Sequence, residues 1–87
     1  MNKADVIREF VLKNFVEPAM LLGKEEIIIR AGDIHKAMQL KDAMPAVVSA
    51  IGSNKFLDLA RVELISRKGP QNGANLYFTF RLKEEIS

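Results

Sequence analysis

Residues 27–59, IIIRAGDIHKAMQLKDAMPAVVSAIGSNKFLDL, decide how the rest of the chain must be arranged. The run opens on Ile27, Ile28 and Ile29, whose β-branched side chains favour a short strand, and three in succession imply cover on both faces. Gly32 and Asp33 break that strand, and Asp33 is placed to cap the free backbone N–H groups of a helix over Asp33–Leu40. Ile34, Ala37, Met38 and Leu40 supply its apolar face, with His35, Lys36 and Gln39 outside. Lys41 and Asp42 make a turn, and Pro45 suits the first position of the next helix, where its missing N–H costs nothing. In that helix, Pro45–Ser53, a rotation of about 100° per residue gathers Val47, Val48 and Ile51 on one side, near Met44. The other side carries Ala46, Ser49, Ala50 and Ser53, all small. Two short helices joined by a tight turn, behind a strand, form the centre of the fold.

Downstream, Gly52 weakens the end of the second helix, and Asn54, Lys55, Phe56, Leu57 and Leu59 either continue it or form a compact turn that buries Phe56. Val62–Ser66 reads as a strand. Leu76–Leu82 reads as another, with Leu76, Phe78, Phe80 and Leu82 pointing one way and Tyr77, Thr79 and Arg81 the other. Gly69-Pro70 and Asn72-Gly73 between them are turn signals, the latter favouring the positive backbone angles of a hairpin reversal. The result is a hairpin with a long polar tip, followed by a charged tail, Lys83–Ser87, that frays.

Upstream, Val6, Ile7, Phe10, Val11 and Phe15 recur at spacings of three and four, which specifies an amphipathic helix over Lys3–Val16 with Asn2 as its N-cap. Pro18 ends this helix or forces a new turn. Ala19, Met20, Leu21 and Leu22 can form a helical extension closed by Gly23, and the apolar surface of Met20, Leu21 and Leu22, if left open, marks a dimer contact or docking site. Lys24, Glu25 and Glu26 lead into the strand.

With 87 residues, 48% hydrophobic and 28% charged, the chain is expected to be one globular domain over residues 1–87. It contains no cysteine, which removes disulfides, thiolate metal sites and cysteine nucleophiles. No apolar run approaches the roughly 18–20 residues of a membrane span, and no leader is evident, so no membrane association and a cytoplasmic location are expected. The net charge is +2, unevenly spread: residues 1–29 hold four cations against five anions, residues 30–83 nine against four. The positive half is the one containing the two helices and the hairpin.

Helix, short strand, two helices and hairpin make an α+β domain that resembles the winged helix-turn-helix superfamily over nearly the whole chain. Arg30-Ala31-Gly32-Asp33-Ile34-His35-Lys36-Ala37 with Pro45-Ala46-Val47-Val48-Ser49-Ala50-Ile51 is similar to small, uncharacterised prokaryotic members, archaeal ones among them. The resemblance implies a DNA-binding role in which the helix from Pro45 enters a major groove and the tip from Arg67 to Asn75 touches backbone or minor groove. It also implies that dimers are common.

Read by their own chemistry, Arg67, Lys68, Gln71, Asn72 and Asn75 suit phosphate oxygens, although any exposed hairpin tip is rich in such residues. The helix from Pro45 lacks the Arg, Lys, Asn and Gln that read base edges. Its small face either approaches DNA closely, with Ser49 and Ser53 nearest the bases and Lys41, Asn54 and Lys55 on phosphates, or receives a partner helix. Arg30 and Lys36 flank these groups. Tyr77 stacks on a base or a partner, or makes an ordinary cross-strand contact.

His35 with Asp33 is too small a set for a metal site. The pairs Glu25/Glu26 and Glu84/Glu85 point apart in extended chain. Gly23-Lys24 lacks the rest of a phosphate-binding loop. No enzyme activity, cofactor or metal is therefore expected. The expected function is non-enzymatic binding of double-stranded DNA, as in transcription regulation. The alternative is a protein-interaction or oligomerisation module, acting as a homodimer or with another protein.

Overall fold

A computed structural model describes residues 2–83. Among them the order of elements is α1 (Lys3–Val11), a π-helical segment (Leu12–Val16), α2 (Glu17–Leu21), β1 (Glu26–Arg30), α3 (Ala31–Ala37), α4 (Met44–Ile51), α5 (Asn54–Ala60), β2 (Val62–Lys68) and β3 (Tyr77–Leu82). The three strands form one antiparallel sheet in the order β1-β3-β2, with helices packed over one face. The domain is α+β. Residues 84–87, most of the expected charged tail, lie outside the described residues.

Asn2 caps α1 as its sequence suggests, its Oδ1 accepting the Asp5 backbone N–H at 2.8 Å. Beyond Val11 the helix departs from the expected stripe. The fully buried residues are Ile7, Val11 and Val16, so the spacing widens from four to five across the π segment, and Phe15 is only half-buried. Pro18 does not end the helix. A proline ring clashes with the carbonyl four residues back in a regular helix, and the wider turn immediately before it relieves that conflict. The helix runs on to Leu21 and stops at Gly23, whose φ of +73° suits a residue without Cβ. There the Gly23 and Lys24 N–H groups return to the carbonyls of Met20 and Ala19, both at 3.0 Å, a Schellman closure.

β1 is an edge strand with one covered face. Ile29 is buried, Ile27 half-buried and Ile28 68% exposed, which corrects the expectation of cover on both faces. The chain enters α3 directly from β1, at Ala31 rather than Asp33, and α3 ends at Ala37 rather than Leu40. Asp33 is therefore not the cap. It lies in the first turn, where it pairs with Arg30 Nη1 at 2.8 Å. The first amides of α3 are satisfied instead by the hairpin loop: Ala31 N–H donates to Leu76 O and Gly32 N–H to Ala74 O, each at 2.9 Å. A Cβ on Gly32 would stand 2.9 Å from that Ala74 oxygen, so only glycine permits the approach.

The turn between α3 and α4 holds Gln39 and Asp42 at positive φ. It is fastened by His35, whose Nε2 accepts the Ala43 backbone N–H at 3.2 Å. His35 thus has a structural task that its sequence position does not announce. Pro45 occupies the second position of α4, after Met44. Residues 54–60 form a separate helix, with the Ser53 side chain accepting the Phe56 N–H, and Phe56 is completely buried.

β3 is the central strand. Leu76, Phe78, Phe80 and Leu82 are buried as the alternation requires, while Tyr77 and Arg81 face outward. On the outer face Arg81 bridges Glu26 at 3.5 Å and Glu63 at 3.9 Å, joining all three strands. β2 runs two residues further than expected, so Arg67 and Lys68 are strand residues paired with Phe78 and Tyr77, not loop residues. A bulge at Ile65, between the pairs Leu64/Phe80 and Ser66/Thr79, shifts the alternation. Without it Arg67 would fall on the outer face with Glu63; with it, Arg67 shares the helix-covered face with Phe78.

Candidate nucleic-acid interface

The hairpin and α4 meet in a shallow cleft of about 400 Å³ lined by Val48, Ser49, Gly52 and Ser53 on the helical side and Arg67, Gln71 and Asn72 on the hairpin side. Its position follows from two local features. The Ile65 bulge brings Arg67 to this face, and its guanidinium lies over the Phe78 ring, 5.0 Å from the centroid, a cation–π contact worth about 0.5–1 kcal/mol at an exposed site. Gly52, at the end of α4, leaves room for it. A Cβ there would come within 3.2 Å of Arg67 Nη1 and 2.9 Å of Val48 O. Arg67 also borders a second hollow of about 320 Å³ with Gly69, Gln71 and Leu76.

Of the residues singled out in the sequence, the fold brings Ser49, Ser53, Arg67, Gln71 and Asn72 to one cleft. Lys41, Asn54, Lys55 and Lys68 are exposed but do not line it. Asn72 adopts φ +59°, consistent with its turn role. Arg30 is held by Asp33 and by Asn75 Oδ1, the latter at 3.1 Å, so it braces β1, α3 and the hairpin loop together. Among the described residues no carboxylate lies within ion-pair distance of Lys36, Lys41, Arg67 or Lys68. Guanidinium, amide and hydroxyl groups converging without an opposing anion can accommodate a phosphodiester.

Two members of the expected site are engaged elsewhere. Ser53 Oγ donates to Ala50 O at 2.7 Å and accepts from the Phe56 N–H and from Arg8 Nε, both at 3.2 Å. Lys55 Nζ lies 3.2 Å from Asp5 Oδ1. Arg8, which reads as an ordinary polar-face residue, is only 11% exposed and also binds Asp5, at 2.8 Å, and Ala50 O, at 3.3 Å. It clamps α1 to the junction of α4 and α5. The small face expected on α4 is likewise not open along its length: Ala50 is completely buried where α1 packs on α4. The partner helix that its small side chains admit is α1 of the same chain, and Ser49 is the member left exposed.

The Asp5 carboxyl sits below its usual value of 3.8, first through its hydrogen bond to Lys55, then through the charges of Lys55 and Arg8, against some desolvation. A carboxylate with a depressed folded-state pKa contributes stability above its unfolded value and loses it as pH falls through the folded one. Asp5→Asn should therefore make stability less dependent on pH below 3.8. Thermal melts of both proteins across the acid range check this, and parallel curves would exclude the clamp as a contributor.

Among the described residues no group of three or more His, Cys, Asp or Glu side chains gathers in one place, and no helix is long and apolar enough to cross a membrane. Comparison with known proteins finds no family model, curated protein or solved structure that matches the chain.

Proposed function

We propose that the chain is a winged-helix domain that binds double-stranded DNA without catalysis, in a role such as transcription regulation. Cleft and wing act together: α4 faces a groove through Ser49, Arg67, Gln71 and Asn72 hold the phosphate backbone at the cleft, and Lys68 adds a cation from the other face of the hairpin. The observation that carries this reading is the convergence of Arg67, uncompensated by any carboxylate among the described residues, with Gln71, Asn72 and Ser49 around one cleft. The order helix, strand, helix-turn-helix, hairpin, with β1 added to the hairpin, is in keeping with that class. Lys41 and Lys36, near the turn, extend the cationic surface. Base reading is weak, because α4 exposes a hydroxyl and small side chains where Arg, Asn or Gln would discriminate bases.

Binding is expected to be weak and steeply salt-dependent, since affinity rests on counterion release. Titration of a labelled duplex, read by fluorescence anisotropy at several salt concentrations, tests it. Replacing Arg67 and Lys68 together by alanine should lower affinity about tenfold or more at low salt and reduce the slope of log K against log salt by roughly 0.9 for each phosphate no longer neutralised. No binding at low salt, or an unchanged slope in the double variant, would refute the proposal. A protein-interaction reading draws on a different surface, where Leu21, Leu22 and Ile28 are exposed.

A further inference from the structure

The two free edges of the sheet are not alike. β2 carries the Ile65 bulge and the charged side chains Glu63 and Lys68, features that discourage pairing with another strand. β1 carries neither a bulge nor a proline and presents Ile28 68% exposed on its outer side, between the opposite charges of Glu26 and Arg30. A regular edge of this kind is a template for a strand whose charges complement its own.

The backbone of β1 shows which groups are open. Leu82 N–H donates to Glu25 O at 2.8 Å and Ala31 N–H to Leu76 O at 2.9 Å. In an antiparallel ladder alternate residues face the same neighbour, so Glu25, Ile27, Ile29 and Ala31 bond towards β3. Glu26 and Ile28 turn both N–H and C=O to the open edge. Arg30 turns its N–H there, its carbonyl being committed to the start of α3 as the N-cap.

The sequence of the strand, Glu26-Ile27-Ile28-Ile29-Arg30, reads as its own complement when reversed. We infer that β1 is the pairing edge of a homodimer, in which two copies align their β1 strands antiparallel about a two-fold axis at Ile28. Ile28 then exchanges N–H and C=O bonds with Ile28 of the second copy, and Arg30 N–H meets Glu26 C=O. On the outer face Glu26 faces Arg30 of the second copy on each side of the axis, and the two Ile28 side chains cover one another. Glu26 binds Arg81 through Oε2, which leaves Oε1 for that cation, and Arg30, held through Nη1 and Nε, offers Nη2.

Beside the edge, Phe15, Pro18, Ala19 and Leu22 form with Ile27 and Ile28 the apolar part of a groove of about 480 Å³ that Asn14, Lys24 and Glu26 also line, with Leu22 75% exposed. The second copy closes the open side of this groove. Two three-stranded sheets become one continuous six-stranded sheet whose outer strands are the two guarded β2 edges. This inference uses no residue of the α4 cleft and does not depend on DNA binding.

Sedimentation equilibrium of the full chain without nucleic acid, from about 1 μM to about 1 mM, a range that spans modest association constants, tests it. The wild-type protein should shift from monomer to dimer. Ile28→Lys, which sets two ammonium groups on the axis, should weaken association roughly 100-fold or more while the melting transition persists. Glu26→Arg and Arg30→Glu should each weaken self-association, because each places like charges across the axis. Mixed in equal amounts they should associate better than either alone, since the copy with arginine at both positions then faces the copy with glutamate at both. A wild-type protein that stays monomeric over this range, an Ile28→Lys variant that dimerises unchanged, or a mixture no better than its components would overturn the inference. A misfolded single variant cannot imitate the gain on mixing.

Discussion

Replacing Phe80 with alanine is expected to destabilise the domain by about 3–5 kcal/mol, the range for removing a buried aromatic ring from a packed core. Phe80 is completely buried in the central strand, paired with Ile27 on one side and Leu64 on the other. Its ring meets Phe56 edge-on at 5.5 Å and stacks parallel to Phe78 at 5.9 Å. It therefore joins α5, both flanking strands and the ring that supports Arg67. Against the roughly 4–13 kcal/mol expected for a domain of this size, the loss removes a large share of the total stability. Urea denaturation followed by circular dichroism measures it, with Tyr77→Ala on the outer face of the same strand as the comparison. A Phe80→Ala change below about 1 kcal/mol would mean that the core is not organised around this ring.

Gly69→Ala is expected to cost about 2–3 kcal/mol and, on the proposed function, to weaken duplex binding in the same protein, from strain and collision at one residue. Gly69 has φ +120°, a conformation L side chains rarely adopt, and an added Cβ would run into the Asn75 backbone carbonyl. The obstacle is backbone, which cannot rotate aside. Relief requires the loop to move, and that loop carries Gln71 and Asn72 and supplies the Ala74 and Leu76 carbonyls to α3. Asn72→Gly, at a positive φ that asparagine already tolerates, should be close to neutral for stability. Paired urea melts and anisotropy titrations separate the two, and a Gly69→Ala protein with wild-type values in both would show that the loop geometry constrains neither property.

Where periodicity and turn chemistry carry information, the sequence was a good guide to the fold. The alternation of Leu76, Phe78, Phe80 and Leu82, the cap at Asn2, the stop at Gly23 and the compact burial of Phe56 are all local consequences of side-chain type. The π segment was harder to see, because a regular period assigns Phe15 to the buried stripe, and only the five-residue step from Val11 to Val16 points to a wider turn. Asp33 looked like a cap because capping is ordinarily local. Here the capping carbonyls come from residues 74 and 76, which no neighbouring residue reveals.

The candidate site was legible as a set of residue types and less so as a surface. Arg67, Gln71 and Asn72 stood out by composition, yet the cleft depends on the Ile65 bulge, and one extra residue in a strand leaves only a small mark: an apolar side chain where alternation calls for an outward polar one. Ser53 and Lys55 were equally plausible contacts by type. Their engagement with Arg8 and Asp5 is set by the packing of α1 across α4, a long-range fact absent from any local pattern.

The dependence of α3 on the hairpin loop also bears on the order in which the chain can fold. A helix of seven residues has no stability of its own in water, and the N–H groups of Ala31 and Gly32 find their acceptors more than forty residues later, at Leu76 and Ala74. During synthesis the segment through α5 therefore leaves the ribosome without the acceptors that start its central helix. The helical half and the hairpin are expected to become structured in a single event, once residues 74–76 have emerged.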